Sequence, residues 1–176
     1  MLLNIFSPRK RNDEAEFRQL VEQNQRRLYW HLRRILNSHE DAEDVLQETF
    51  YKAYKSYSKF DGKCAVYTWL YRIATNEALR FMEKRGPEYE LLDNIGDNIR
   101  SENDDTDEQL NEQRILLQKA IRTLPEKQKL VFNLRFYDEM EYEQICEILG
   151  ISRSAAKTNF HLAKEKIKSY IQSQPL

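Results

Sequence analysis

The chain has 176 residues, 40% hydrophobic and 32% charged, with a mean hydropathy of −0.81. That length suits one or two small domains; four Gly and four Pro exclude a collagen-like or low-complexity chain and argue against a turn-rich β fold. The formal net charge of −1 conceals a partition: residues 1–85 carry 16 basic against 12 acidic groups, residues 86–113 one against ten, and residues 114–176 eleven against seven.

In chain order, Phe17, Leu20, Val21, Leu28, Leu32 and Ile35 recur at helical spacing and predict a first amphipathic helix. A second begins near Ser38, which can cap it, and carries Ala42, Val45, Leu46, Thr49, Phe50, Ala53, Tyr54 and Tyr57 on its apolar stripe. After Asp61-Gly62 a third helix buries Val66, Trp69, Leu70, Ile73, Ala74 and Phe81, leaving Thr68, Tyr71, Arg72, Thr75, Asn76 and Leu79 on the opposite face. The acidic segment opens with Gly86-Pro87 and has little to bury, so it reads as a flexible linker.

Beyond it, Leu110, Leu117, Ala120, Ile121 and Leu124 predict a helix ended by Pro125, which opens the next, carrying Leu130, Val131 and Leu134. A short helix with Tyr142, Ile145, Cys146 and Leu149 closes at Gly150 in an expected left-handed cap. Ile151 is then an apolar plug, Ser152 an N-cap, and a longer helix runs from Arg153 to about Tyr170. Short helix, glycine turn, cap and long helix make a helix-turn-helix layout over 141–160. The expected fold is all-α: an N-terminal helical domain at 14–85, an acidic linker at 86–111, and a C-terminal helix-turn-helix domain at 112–172.

Three features carry chemistry. The last helix buries Ala156, Phe160, Ala163, Ile167 and Tyr170. Beside that stripe runs a mostly cationic ridge of Arg153, Lys157, His161, Lys164 and Lys168, with Ser154 and Thr158 outermost. Cations for phosphates and short polar groups for base edges suit a helix entering a major groove; an ordinary solvated face is the bland reading of the same pattern. Around residues 54–81, Tyr54, Tyr57, Phe60, Tyr67, Trp69, Tyr71 and Phe81 interleave with Lys55, Lys59, Lys63, Arg72 and Arg80, as stacking on unpaired bases requires. Trp69 and Phe81 read as core. The acidic run Asp41–Glu48 fits either a solvated face or a docking surface for a larger partner.

No feature points to an enzyme. Cys64 and Cys146 stand alone, the three histidines are scattered, and no GxSxG, GxGxxG or GxxxxGK[ST] motif occurs. Neither a cofactor nor a metal is expected. With no apolar stretch near the roughly 20 residues a bilayer demands, and an N-terminal Met1–Phe6 too short for a signal-peptide core, membrane insertion and secretion are not expected, and a cytoplasmic location is.

Together these residues resemble the extracytoplasmic-function (ECF) class of bacterial RNA polymerase sigma factors. Asp41–Phe50 resembles that family's polymerase-binding region, Tyr67–Asn76 its promoter-melting and minus-ten-reading helix, and Leu124–Gln128 with Tyr142–Lys168 its minus-thirty-five-reading domain. The resemblance implies that Asp44, Leu46, Gln47, Glu48 and Phe50 contact core RNA polymerase. It places Lys63, Tyr67, Tyr71, Arg72, Asn76 and Arg80 on melted promoter DNA, and Arg153, Ser154, Lys157, Thr158, Asn159, His161 and Lys164 in the major groove. It also implies an anti-sigma partner. Asn159 and His161 stand where members of the family often carry Arg, and Asn favours an adenine contact over guanine. The competing readings are a helix-turn-helix regulator acting without polymerase and a helical adaptor that binds only proteins.

Overall fold

The computed structural model describes residues 8–36, 38–91 and 108–174. Every regular element among them is helical: α1 (Pro8–Ile35), α2 (His39–Ser56) with a 3-10 turn at Tyr57–Lys59, α3 (Val66–Arg85), α4 (Pro87–Leu91), α5 (Glu108–Arg122), α6 (Glu126–Phe136), α7 (Tyr142–Leu149) and α8 (Arg153–Ser173). No described helix is long and apolar enough to cross a membrane.

The termini follow from the residues placed there. Ser38 Oγ accepts the amide of Asp41 at 3.0 Å, while Glu40 and Asp41 put negative charge at the positive end of α2. Pro125 occupies the N-cap of α6 rather than its first helical position. α7 is capped by a reciprocal pair: Glu141 accepts the amide of Gln144, and Gln144 Oε1 accepts the amide of Glu141 at 2.8 Å. Gly150 ends α7 at φ 64°, ψ 37°, and Ser152 Oγ accepts the amide of Ala155 to start α8.

α4 lies inside the stretch read as linker from residue 86, and that reading is corrected for its first residues. Tyr89 is buried against Phe81, and its hydroxyl donates to Asp41 Oδ2 at 2.7 Å, so one aromatic ring supplies enough apolar surface to order the turn after Gly86. The acidic residues 92–107 lie outside the described residues.

Two apolar cores form. The smaller joins Ala120, Ile121 and Leu124 of the α5 region with Phe132, Ala163 and Ile167. The larger does not stop at the end of the N-terminal helices: it runs from Leu28, Leu32, Val45, Trp69 and Leu70 to Val131, Leu134, Met140, Ile145 and Ile148. The two halves of the chain are thus pressed together, α3 on α7 and α1 on α6. Each fully buried Leu or Ile in this continuous core contributes about 1.5–3 kcal/mol.

This packing corrects the face assignment of α3. Thr68, Tyr71 and Thr75, expected on its open side, are 1%, 0% and 0% exposed, because α7 and α1 cover that side. Tyr54, expected on the apolar stripe of α2, is instead half exposed, its ring edge-on to Phe17.

The seam between the halves is polar at its centre. Asp138, in the turn after α6, sends Oδ1 to Arg34 Nη2 at 2.7 Å and accepts the Tyr71 hydroxyl at 3.0 Å. His31 Nδ1 faces Asp138 Oδ2 at 3.4 Å, too long for a good hydrogen bond, while His31 Nε2 lies 2.8 Å from Thr75 Oγ1. The turn is held by Arg135, whose Nη1 donates to the Met140 carbonyl at 2.8 Å, and by the left-handed Glu139 at φ 54°. Burial keeps His31 below its ordinary value, against the pull of Asp138. Burial alone pushes Asp138 up, but the His31 imidazole and then the Arg34 guanidinium pull it down further, for a net lowering.

Both shifts have one sign. A histidine or carboxyl whose value is depressed by folding stabilises the fold above its ordinary value and loses that contribution as pH falls through the depressed one. Stability is expected to decline in two steps on acidification, the first starting below the ordinary 6.5 of histidine and the second below the ordinary 3.8 of aspartate. Denaturant midpoints measured across pH check this, and His31→Gln should abolish the first step and shrink the second, since His31 leads the groups that hold Asp138 down. At neutral pH Asp138→Asn should destabilise by about 1.5–3 kcal/mol, the usual worth of hydrogen bonds to a charged group. Gly150→Ala meets no atom within 4 Å, so its expected loss of about 1–2 kcal/mol is backbone strain alone.

Candidate nucleic-acid interface

The C-terminal surface is built on the Gly150 turn. With the last turn of α7 closed left-handed and Ile151 packed into the larger core, α8 departs at a new angle, and its buried side is fixed by Ala156, Ala163 and Ile167. The outer side then presents Arg153, Ser154, Lys157, Thr158, His161 and Lys164, all exposed. Asn159 is half-buried, its Nδ2 donating to the Ala155 carbonyl at 2.8 Å. Arg153 is paired with Glu143 of α7 at 2.6 Å. Lys157 lies over the Tyr142 ring and Lys164 over Phe160, contacts that fix the direction of the ammonium groups while leaving them in solvent.

The N-terminal surface divides into a covered row and an open row on α3. Tyr67 and Tyr71, one turn apart, face the seam. The Tyr67 hydroxyl is hydrogen-bonded to Gln144 Nε2 and its ring lies beneath Arg27. Tyr71 is wholly buried, its phenol pushed up by burial and by the neighbouring Asp138 charge. Arg72, Asn76 and Arg80, also a turn apart, are exposed. Lys63 sits in the loop before α3, 3.2 Å from Asp61, whose carboxyl is held low by the Lys63 amide and then its ammonium. Gly62, at φ 71°, lets this loop turn. Lys63, Phe60, Cys64, Trp69 and Arg72 line one cavity of about 270 Å³, which Glu147 of α7 closes from the opposite half. Sequence reasoning missed Glu147, Gln144 and Asp138: each acts on a residue more than sixty positions away, and no local pattern marks them.

The residues read as polymerase-binding lie on α2. Asp44, Gln47 and Glu48 are exposed, and Leu46 and Phe50 are half-buried at the edge of the apolar stripe. Asp44 and Glu48 share a groove with Lys52, Glu77, Arg80 and Lys84 between α2 and α3, crossed by a Lys52–Glu77 pair at 2.7 Å and an Arg80–Glu77 pair at 2.9 Å. Cys64 and Cys146 are free and half-buried. Among the described residues no group of three or more His, Cys, Asp or Glu could hold a metal ion.

A helix-turn-helix module with a cationic outer face, packed on a second helical module with its own exposed row of Arg72, Asn76 and Arg80, defines a DNA-binding protein. Comparison narrows the class. Sigma-70 region 2 matches residues 20–88, and Sigma-70, region 4 matches residues 114–167. The ECF RNA polymerase sigma-E factor of Haemophilus influenzae is 33% identical over 93% of this chain and 91% of its own. The ECF RNA polymerase sigma factor SigW of Bacillus subtilis is 29% identical over 93% and 92%. In fold, the chain is similar to the sigma factor RpoE of Bartonella quintana, solved with the anti-sigma factor NepR (TM-score 0.71, 23% identity, 91% of this chain and 99% of that one). It is also similar to CnrH, solved with the cytosolic domain of CnrY (TM-score 0.69, 19% identity, 92% and 91%). The chain belongs to the sigma-70 family, among the ECF RNA polymerase sigma factors.

Proposed function

We propose that this chain docks on core RNA polymerase through Asp44, Leu46, Gln47, Glu48 and Phe50 and directs it to promoters. α8 lies in the major groove of an upstream element, with Ser154, Lys157, Thr158, Asn159 and His161 towards base edges and Arg153 and Lys164 on phosphates. Lys63, Tyr67, Tyr71, Arg72, Asn76 and Arg80 take the separated strand downstream. The protein acts in the cytoplasm, performs no catalysis of its own, and is held in check by an anti-sigma protein; that the Bartonella quintana neighbour was solved with an anti-sigma factor supports the last point. The observation that carries the reading is the pair of exposed polar rows, Arg72–Asn76–Arg80 on α3 and Arg153–Lys157–His161–Lys164 on α8, one on each half of the chain.

The seam bears on how these rows are used. Tyr67 and Tyr71 are occupied by Gln144 and Asp138, and Glu147 closes the cavity beside Arg72. Promoter engagement by α3 therefore requires α7 to leave, and polymerase contacts with both halves provide the free energy. The modest positive charge of each half implies weak binding to DNA alone, since few phosphates are neutralised.

Transcription reconstituted with bacterial core polymerase tests the proposal. Start sites dependent on the chain are expected, and Lys157→Glu with Lys164→Glu should lower their use at least tenfold while leaving co-purification with polymerase intact. Asp44→Lys with Glu48→Lys should remove polymerase from the pull-down and with it the dependent start sites. Failure to initiate on any genomic template, or tight palindromic binding without polymerase, would favour the free-standing regulator instead.

A further inference from the structure

The groove between α2 and α3 holds a chain of charges that joins two surfaces with different roles. Lys52 Nζ lies 2.7 Å from Glu77 Oε2 and, more loosely, 3.6 Å from Glu48 Oε1. Glu77 Oε1 accepts from Arg80 Nη1 at 2.9 Å. The four run in order Glu48, Lys52, Glu77, Arg80, from a carboxylate on the polymerase-facing side of α2 to a guanidinium on the DNA-facing row of α3. Glu48 and Lys52 stand one turn apart on one helix, Glu77 and Arg80 one turn apart on the next, so helical spacing alone brings each pair together.

The members of the chain differ in their freedom to move. The Glu77 side chain is 10% exposed and commits one oxygen to each cation, whereas Lys52 is 39% and Arg80 62% exposed. A carboxylate so nearly covered keeps its place only with a cation beside it, while the cations nearer the surface can turn away. Lys52 divides its charge between two carboxylates. If a cation of another protein draws Glu48 off, Lys52 falls wholly to Glu77. Two cations then compete for one carboxylate and repel each other, and Arg80, the more exposed, is the one that yields. The network thus has two discrete arrangements, which is what coupling between two surfaces requires.

We infer that Glu77 is a positioning residue: it holds Arg80 in the free chain and hands it to the separated DNA strand when polymerase takes Glu48. The coupling is reciprocal, since a strand that captures Arg80 leaves Glu77 to Lys52 and loosens Glu48 for polymerase. This consequence rests on the roles of Glu48 and Arg80 in the function proposed above. The relay of charge does not, and it is measured with neither polymerase nor DNA, so the two fail separately.

Nuclear magnetic resonance of the full chain, isotope-labelled at its arginine guanidinium groups, provides the test. The Arg80 signal is identified by its loss in Arg80→Lys, and the readout is the rate of rotation about its Nε–Cζ bond, slow while Nη1 is held. Glu48→Gln mimics the loss of the Glu48 charge to a partner and should speed that rotation by about twofold or more, the scale of an exposed ion pair. Glu43→Gln makes the same charge change on the same helix outside the relay, where Glu43 faces His39, and should leave Arg80 as it was. In Lys52→Met, Arg80 should rotate more slowly than in the native chain, and adding Glu48→Gln should change nothing. A second measurement takes the affinity of the free chain for a fluorescein-labelled single-stranded DNA of mixed sequence. Glu48→Gln and Glu77→Gln should each raise it by about twofold, and the double variant should gain no more than Glu77→Gln alone. An Arg80 signal indifferent to Glu48→Gln, or equally sensitive to Glu43→Gln, would overturn the relay. So would a Glu48→Gln response that persists undiminished in Lys52→Met, since Glu48 would then act through bulk charge and not through the chain of pairs.

Discussion

A single carboxylate, that of Asp138, decides the arrangement of this molecule. It is 7% exposed, and a charge so placed is tolerated only with partners. Those partners, Arg34, His31 and Tyr71, all belong to the other half of the chain. The carboxylate, gripped by a guanidinium and a phenol and fixed in its own turn by Arg135 and the left-handed Glu139, selects one register. From that register follow the burial of Tyr71, the capture of Tyr67 by Gln144, and the closing of the Arg72 cavity by Glu147.

Each element of the seam therefore has two possible partners. Tyr67, Tyr71 and Arg72 have the chemistry to meet unpaired bases and a phosphate backbone; in the closed chain Tyr67 meets a glutamine and Tyr71 an aspartate, while Arg72 shares its cavity with a glutamate. The competition is set by free energies of a few kcal/mol per contact, a scale on which a large partner touching both halves prevails easily.

The helices, their caps and the helix-turn-helix were legible in the sequence because they are local. Ser38, Gly150 and Ser152 each act within four residues of their own position, and the spacing of Ala156, Ala163 and Ile167 needs nothing beyond one helix. What could not be read was anything that joins the halves. Thr68, Tyr71 and Thr75 look like an open polar row, since short hydroxyl-bearing side chains are ambiguous between solvent and a second packed layer; only α7, some seventy residues downstream, resolves it. Asp138 carries no motif, and the Tyr71 and Arg34 side chains that hydrogen-bond to it lie 67 and 104 positions away. The same limit applies to α4, where Tyr89 is ordered by Asp41 on a helix far upstream. Of the candidate interface, the exposed positions on α8 and the Arg72–Asn76–Arg80 row follow from periodicity, whereas the occlusion of their neighbours does not.

The Arg153–Glu143 bridge at the mouth of α8 bears on the thermodynamics of DNA association. A lysine or arginine that meets a phosphate ordinarily releases a condensed salt ion from the duplex, and the number released sets how steeply affinity falls with added salt. Arg153 begins with a carboxylate as its counterion, so transferring it to a phosphate frees Glu143 into water and exchanges one anion for another. The ridge then behaves as one whose formal cation count overstates its electrostatic appetite for the duplex.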